Sequence, residues 1–227
     1  GFPEGESMRI LVLSQYWWPE NGVPQRRWSW LTSILISQGH EVHVIAPPPR
    51  EQRVNCAGLH SVAQISADPE VGPNGEYIYR CGYVPTNNSL TYRALNQAFV
   101  ALSTVFVGIR MRCKGHTPTP DLLVGTVPAL PTALATLLLA KLFRAPYVID
   151  LRDAWPDLVD YSTLWNRGTG QISLRERILR RGPVQLMSRY VKKTLYRIYS
   201  CSSAMILTSD YLRKSLQEQV RESNHLE

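Results

Sequence analysis

Residues 9–13 read Arg-Ile-Leu-Val-Leu, and together with the turn and helix behind them they narrow the fold more than any other stretch. The run is apolar without alternation, the pattern of a strand covered on both faces in a parallel sheet. It empties into a turn, Ser14 to Asn21, then Gly22-Val23-Pro24. Beyond that, Trp28, Leu31, Ile34 and Leu35 recur at helical spacing. Strand, loop and helix in this order make an opening β-α unit. In an open parallel sheet, ligands sit beyond the carboxyl ends of the strands. Helix N-termini favour anions, and a glycine such as Gly22 lets a ligand come close to the backbone. A crevice for a phosphorylated ligand is therefore expected around Asn21 to Arg27.

The alternation continues along the chain. Strands are predicted at Arg9–Leu13, Glu41–Ala46, Glu76–Arg80, Asp121–Gly125, Pro146–Leu151 and Ser203–Leu207. Helices are predicted at Pro24–Gln38, Leu90–Cys113, Pro128–Phe143 and Asp210–Gln219. Gly39 closes the first helix, and Pro47-Pro48-Pro49 ends the second strand because proline has no N–H for the ladder. Residues 50–75 read as a long loop with a short strand at Ser61–Ile65. Thr126 is expected to cap the helix that opens with Pro128. Strands alternating with helices mean an α/β domain, a Rossmann-like parallel sheet with helices on both faces. It is expected to span 8–220, with 1–7 a disordered leader or tag remnant and 221–227 a tail or cloning remnant.

Composition mainly excludes. The chain has 227 residues, enough to bury a sizeable core. No apolar stretch approaches the ~20 residues of a membrane span; Ala133 to Leu142 is too short and carries Lys141. The first seven residues are polar and acidic, unlike a secretory signal. Cys56, Cys81, Cys113 and Cys201 form no CxxC pair and read as reduced cytosolic thiols. His40 and His43 lack companions, so no metal site is expected. There is no GxGxxG fingerprint and no GxxxxGK[ST] loop, which argues against a nicotinamide enzyme and a P-loop nucleotidase.

The net charge of +7 is concentrated. Between Leu174 and Arg197 stand Arg175, Arg177, Arg180, Arg181, Arg189, Lys192, Lys193 and Arg197 against one acid, Glu176. Apolar residues interleave with them. Such a segment either lies on anionic lipid or is a solvated helix whose apolar stripe packs on the sheet. No nucleic-acid motif accompanies it.

Three loops should meet at the carboxyl edge: Tyr16–Arg27, Gly125–Pro128 and Asp150–Asp157. The third carries Arg152, Asp153, Trp155 and Asp157. An aspartate there could accept a proton or hold a hydroxyl, and an indole could stack on a sugar or base. On spacing alone, Asp153 equally caps a turn and Trp155 equally packs. Gly22 equally serves a simple turn. Arg26 and Arg27 sit where cations oppose the helix dipole, so a compensating anion is expected near them.

The runs MRILVLSQYWWPENGVPQRRW, QGHEVHVIAP, DLLVGTVPALPTALATLLLAKLFRAPYVIDLRDAWPDL and LYRIYSCSSAMILTSDYLRKSL together resemble the N-terminal half of family 4 glycosyltransferases, in the branch that builds bacterial surface polysaccharides. The resemblance implies a GT-B fold, two Rossmann-like domains facing across a cleft. It implies sugar transfer from a nucleotide-sugar donor to a polysaccharide or lipid-linked acceptor, with retention and without a metal or other cofactor. By position, Asn21, Gly22 and Val23 match the loop near the donor diphosphate, and Arg26 and Arg27 a basic pair beside it. The Arg152-Asp153 pair matches the place where many members have His-Asp or His-Thr; arginine in place of histidine shifts acceptor contact or proton handling toward Asp153. Thr126 and Trp155 are further substrate-binding candidates. The donor-binding domain has no counterpart in these residues, so the chain alone is expected to be inactive. The resemblance also implies a cytoplasmic enzyme, with 175–197 touching the inner face of the cell membrane where a lipid-linked acceptor is presented. A nucleotide-sugar 2-epimerase half and a non-catalytic Rossmann-like binding module are the alternatives.

Overall fold

The computed structural model describes residues 6–49, 68–84, 90–114, 119–127, 130–151, 193–214 and 216–217. In chain order these form β1 (Arg9–Leu13), α1 (Val23–Ser37), β2 (Glu41–Ala46), β3 (Glu70–Val71), β4 (Tyr77–Arg80), α2 (Leu90–Lys114), β5 (Leu122–Val127), α3 (Leu130–Phe143), β6 (Tyr147–Leu151) and β7 (Ala204–Leu207). Helical segments also run through 193–200, 210–214 and 216–217.

The strands make one sheet in the order β3-β4-β2-β1-β5-β6-β7. All neighbours are parallel except β3 and β4. The parallel sheet expected from the sequence thus gains an antiparallel edge strand inside the stretch read as loop. Arg80 fastens it: Nε donates to Glu70 Oε2 at 3.0 Å. The strand proposed at Ser61–Ile65 lies outside the described residues.

Because both faces of the sheet's central strands are covered, each of these divides its side chains between two cores. Ile10 and Val12 of β1 join Val42, Val44, Trp17 and Trp28 under α1. Leu11 and Leu13 point the other way, into a larger core with Val100 and Val107 of α2 and Ala133 and Leu139 of α3. Leu195 and Ile198 of the segment 193–200 join that second core, while Lys193 and Arg197 stay exposed. For this last turn of the basic stretch, the apolar stripe packs on the sheet, one of the two outcomes the sequence left open.

Local chemistry sets the joints. α1 ends where Gly39 takes φ +88°, a left-handed turn that suits glycine. Gly125 of β5 has no side chain where Thr136 of α3 presses against it, so α3 lies close on the sheet. At the amino edge, the Arg9 backbone N–H donates to Asp121 Oδ2 at 2.8 Å, pinning β1 to β5 across 112 residues of sequence. Ser7, assigned to the leader, donates its hydroxyl to the Gly39 carbonyl at 2.6 Å. Among the described residues, no helix is long and apolar enough to cross a membrane.

Candidate functional site

The chain moves outward from β1 through β2 to β4, then returns to place β5 on the other side of β1. The strand order therefore reverses between β1 and β5, the place where open α/β sheets bind ligands. Polar side chains gather at these carboxyl ends although the strands below are apolar. Ser14, Gln15, Thr126, Thr132 and Asp150 are all buried.

Buried polar atoms need partners, and these find one another. The Thr126 hydroxyl donates to Ser14 Oγ at 3.0 Å, and Ser14 donates to the Tyr16 carbonyl at 2.8 Å. Gln15 Nε2 donates to Thr132 Oγ1 in the first turn of α3 at 2.9 Å. The loop leaving β1 is thereby held to both β5 and α3.

Thr126 is not the expected helix cap. It lies within β5, which extends past the predicted end because Thr126 and Val127 pair with Asp150 and Leu151 of β6. A β-branched residue suits that extended place, and its hydroxyl is committed to Ser14.

Asp150 stands two residues beyond Val148 on β6, so it faces α1. Its side chain is fully buried and ion-paired through both oxygens with Arg27 Nη2. Trp28 Nε1 donates to Asp150 Oδ2 at 2.9 Å. The anion expected beside the two arginines is, for Arg27, part of the protein itself. Asp150 is the residue that sequence reasoning missed. Its signal was a single carboxylate within the otherwise apolar strand YVIDL.

The remaining residues of the first loop lie at the rim. Arg26 is exposed, and its Nε donates to Asn21 Oδ1 at 3.0 Å. Val23 opens α1 and is 82% exposed. Gly22 is the N-cap residue with φ −86° and ψ 169°, an extended conformation open to any residue. The space over its Cα is occupied by the Gln25 side chain, whose Nε2 donates to Glu20 Oε2 at 3.2 Å. Arg152, Asp153, Trp155 and Asp157 lie outside the described residues; β6 reaches this same edge with Leu151.

The strand ends thus gather buried hydroxyls and an amide bonded to one another, with the exposed guanidinium of Arg26 on the loop above them. Asp150 is committed within the protein, to Arg27 and Trp28. Among the described residues, no group of three His, Cys, Asp or Glu side chains could hold a metal ion.

Comparison with known proteins agrees with this architecture. The pattern described as a glycosyl transferase 4-like domain matches residues 22–227. A protein named as the colanic acid biosynthesis glycosyl transferase WcaI, from Escherichia coli (strain K12), is 29% identical over 164 residues, covering 72% of this chain and 38% of its own length. The chain therefore spans well under half of that curated relative. Among solved structures, Arabidopsis thaliana UGT89C1 complexed with UDP superposes with a TM-score of 0.50 at 13% identity, over 96% of this chain and 49% of its own. LpCGTa in complex with UDP gives a TM-score of 0.50 at 16% identity, over 96% and 50%. At such identities the likeness concerns the fold: this chain has the α/β architecture of about half of a GT-B glycosyltransferase.

Proposed function

Because the chain belongs to the glycosyl transferase 4-like family, we propose that it is the acceptor-binding half of a retaining glycosyltransferase. The donor would be a nucleotide sugar, held mainly by a second Rossmann-like domain. The acceptor would be a bacterial polysaccharide precursor or a lipid-linked glycan, the class suggested by the name of the relative. The observation that carries the reading is the family match over 22–227, together with the polar side chains gathered at the strand reversal, where a crevice is expected. Ser14, Gln15 and Thr126 would hold the floor of that crevice, and Arg26 with Asn21 would meet phosphate oxygens at its rim. Arg27 would act by fixing the first turn of α1 on Asp150. Asp153 would handle the acceptor hydroxyl, flanked by Arg152 and Trp155. The transfer would proceed without a metal. The basic segment 175–197 would rest on anionic lipid at the inner face of the cell membrane.

The test compares two proteins: the 227-residue chain and the full product of its gene. Release of nucleoside diphosphate from UDP- and GDP-sugars is measured with bacterial lipid extract as acceptor. The expected result is turnover by the full product only, loss of most turnover in Asp153→Asn, and an anomeric configuration unchanged by NMR. Transfer by the 227 residues alone, or an inverted product, would refute the corresponding part of the proposal.

A further inference from the structure

Beside the crevice, on the outward side of α1, lies an open groove of about 620 Å³. It runs between the loop 17–21, the exposed face of α1 and the turn at 73–76. That volume falls within the ~300–1,000 Å³ of small-molecule sites. We propose that this groove binds an uncharged oligosaccharide segment, stacked on Trp30 and Trp18.

The indoles carry the argument. Trp28 faces the sheet and is buried, as the helical period requires. Trp30, two residues on, points outward and is 64% exposed; Trp18 across the groove is 44% exposed. The two exposed indoles line the same groove, whose α1 wall is otherwise Gln25, Arg26, Ser29 and Ser33. The two rings are carried by ordered backbone. The Trp18 carbonyl accepts from Arg80 Nη2 at 2.9 Å. Trp17 beneath is buried and pinned, its Nε1 donating to Glu76 Oε1 at 3.3 Å.

The polar groups choose the ligand. Asn74 Nδ2 donates to Ser29 Oγ at 3.3 Å, and Asn21 Oδ1 accepts from Arg26. Each amide is thereby oriented, with its second polar atom set for a ligand hydroxyl. An apolar partner would bury these amides against nothing. A phosphate-rich partner would meet Glu20 and Glu76 as well as Arg26, so the groove offers no excess positive charge. A pyranose has what remains: a C–H face for an indole and equatorial hydroxyls for amides and serines. Asn21 and Arg26, which the proposed function sets beside the donor, also line this groove. This deepens the transferase reading, on which the groove's use as an acceptor seat rests; the binding itself does not.

The test is binding of cellotetraose and of β-1,4-galactotetraose to the 227-residue chain, by tryptophan fluorescence and saturation-transfer NMR. At least one should bind saturably. Trp30→Ala should weaken it about tenfold, the scale of one lost ring-face contact, with the thermal midpoint unchanged. Trp30→Phe should recover much of the loss, and Asn74→Ala should weaken binding independently. Absence of saturable binding by both sugars to about 10 mM, or equal affinity in Trp30→Ala, would overturn the inference. Transfer by the full gene product with no tetraose binding would overturn the groove and spare the transferase. Tetraose binding without transfer by the full product would do the reverse.

Discussion

Replacing Arg27 by Met should destabilise the domain by leaving the buried Asp150 without its cation. Asp150 is fully buried, whereas the Arg27 side chain is 30% exposed, so the two members of the pair are not equivalent. Removing the arginine leaves a carboxylate in the core with Trp28 Nε1 at 2.9 Å still donating. Breaking a buried pair from one side costs ~3–5 kcal/mol. Arg27's partial exposure and the surviving indole bond put this case at the lower end, about 3 kcal/mol. Asp150→Asn leaves a cation that can turn toward water, so it should cost only about 1–2 kcal/mol. The double variant should fall short of the sum by about 1–2 kcal/mol, because the second change removes the charge that the first left stranded. Thermal unfolding by circular dichroism reads all three; at ~2–4 °C per kcal/mol for a chain of this size, Arg27→Met should lose roughly 6–12 °C. The deficit should persist in 0.5 M salt, since a buried pair is little screened. A loss below about 1 kcal/mol, or strict additivity in the double variant, would refute the view that Asp150 depends on Arg27.

The remaining expectations can be checked with the same preparations. Burial, the larger influence, holds His43 below its usual 6.5, against the opposing pull of Glu41, whose Oε1 lies 3.1 Å from Nε2. The unfolded chain then takes up the proton first, so this contribution to stability is full above pH 6.5. It is lost as pH falls below that until the folded form protonates too, with a slope of at most ~1.4 kcal/mol per pH unit. His43→Leu should flatten that part of the pH profile of the melting temperature; an unchanged profile would count against it. Gly125→Ala should cost about 1–3 kcal/mol, because the new methyl meets Thr136 of α3, and a wild-type midpoint would contradict the close α3–β5 approach. Charge reversal at Arg180, Arg181, Lys192 and Lys193 should reduce co-sedimentation with phosphatidylglycerol vesicles; equal partitioning would remove the membrane role from the proposal.

The strands were legible because their residues advertise them. Arg9–Leu13 and Glu41–Ala46 fall where apolar runs meet turn residues, and both were placed to the residue. Glu70–Val71 was missed because two residues, both exposed, carry no apolar pattern; the strand exists through pairing to β4, a tertiary fact. The end of β5 was missed for a related reason. Thr126 is a good cap by type, and only its neighbour Asp150 on β6 reveals it as ladder. At the site, residue types pointed to the right loop but not to the wiring. Arg26 and Arg27 read as a pair, yet one faces water and the other the core, since successive helical positions lie about 100° apart. The groove was invisible in sequence because its walls, at 17–33 and 73–76, lie far apart along the chain.

The central place of β1 has a consequence for biosynthesis. Arg9 and Asp121, bonded at the foot of β1 and β5, are 112 residues apart. During synthesis one flank of β1 can be met early by β2, but the other stays open until β5 has left the ribosome. Through that interval Ile10 to Leu13 would present an unpaired, fully apolar edge, the kind that recruits other chains. Nascent chains stalled before residue 121 should therefore depend on chaperones, and those carried past β5 should be released from that need.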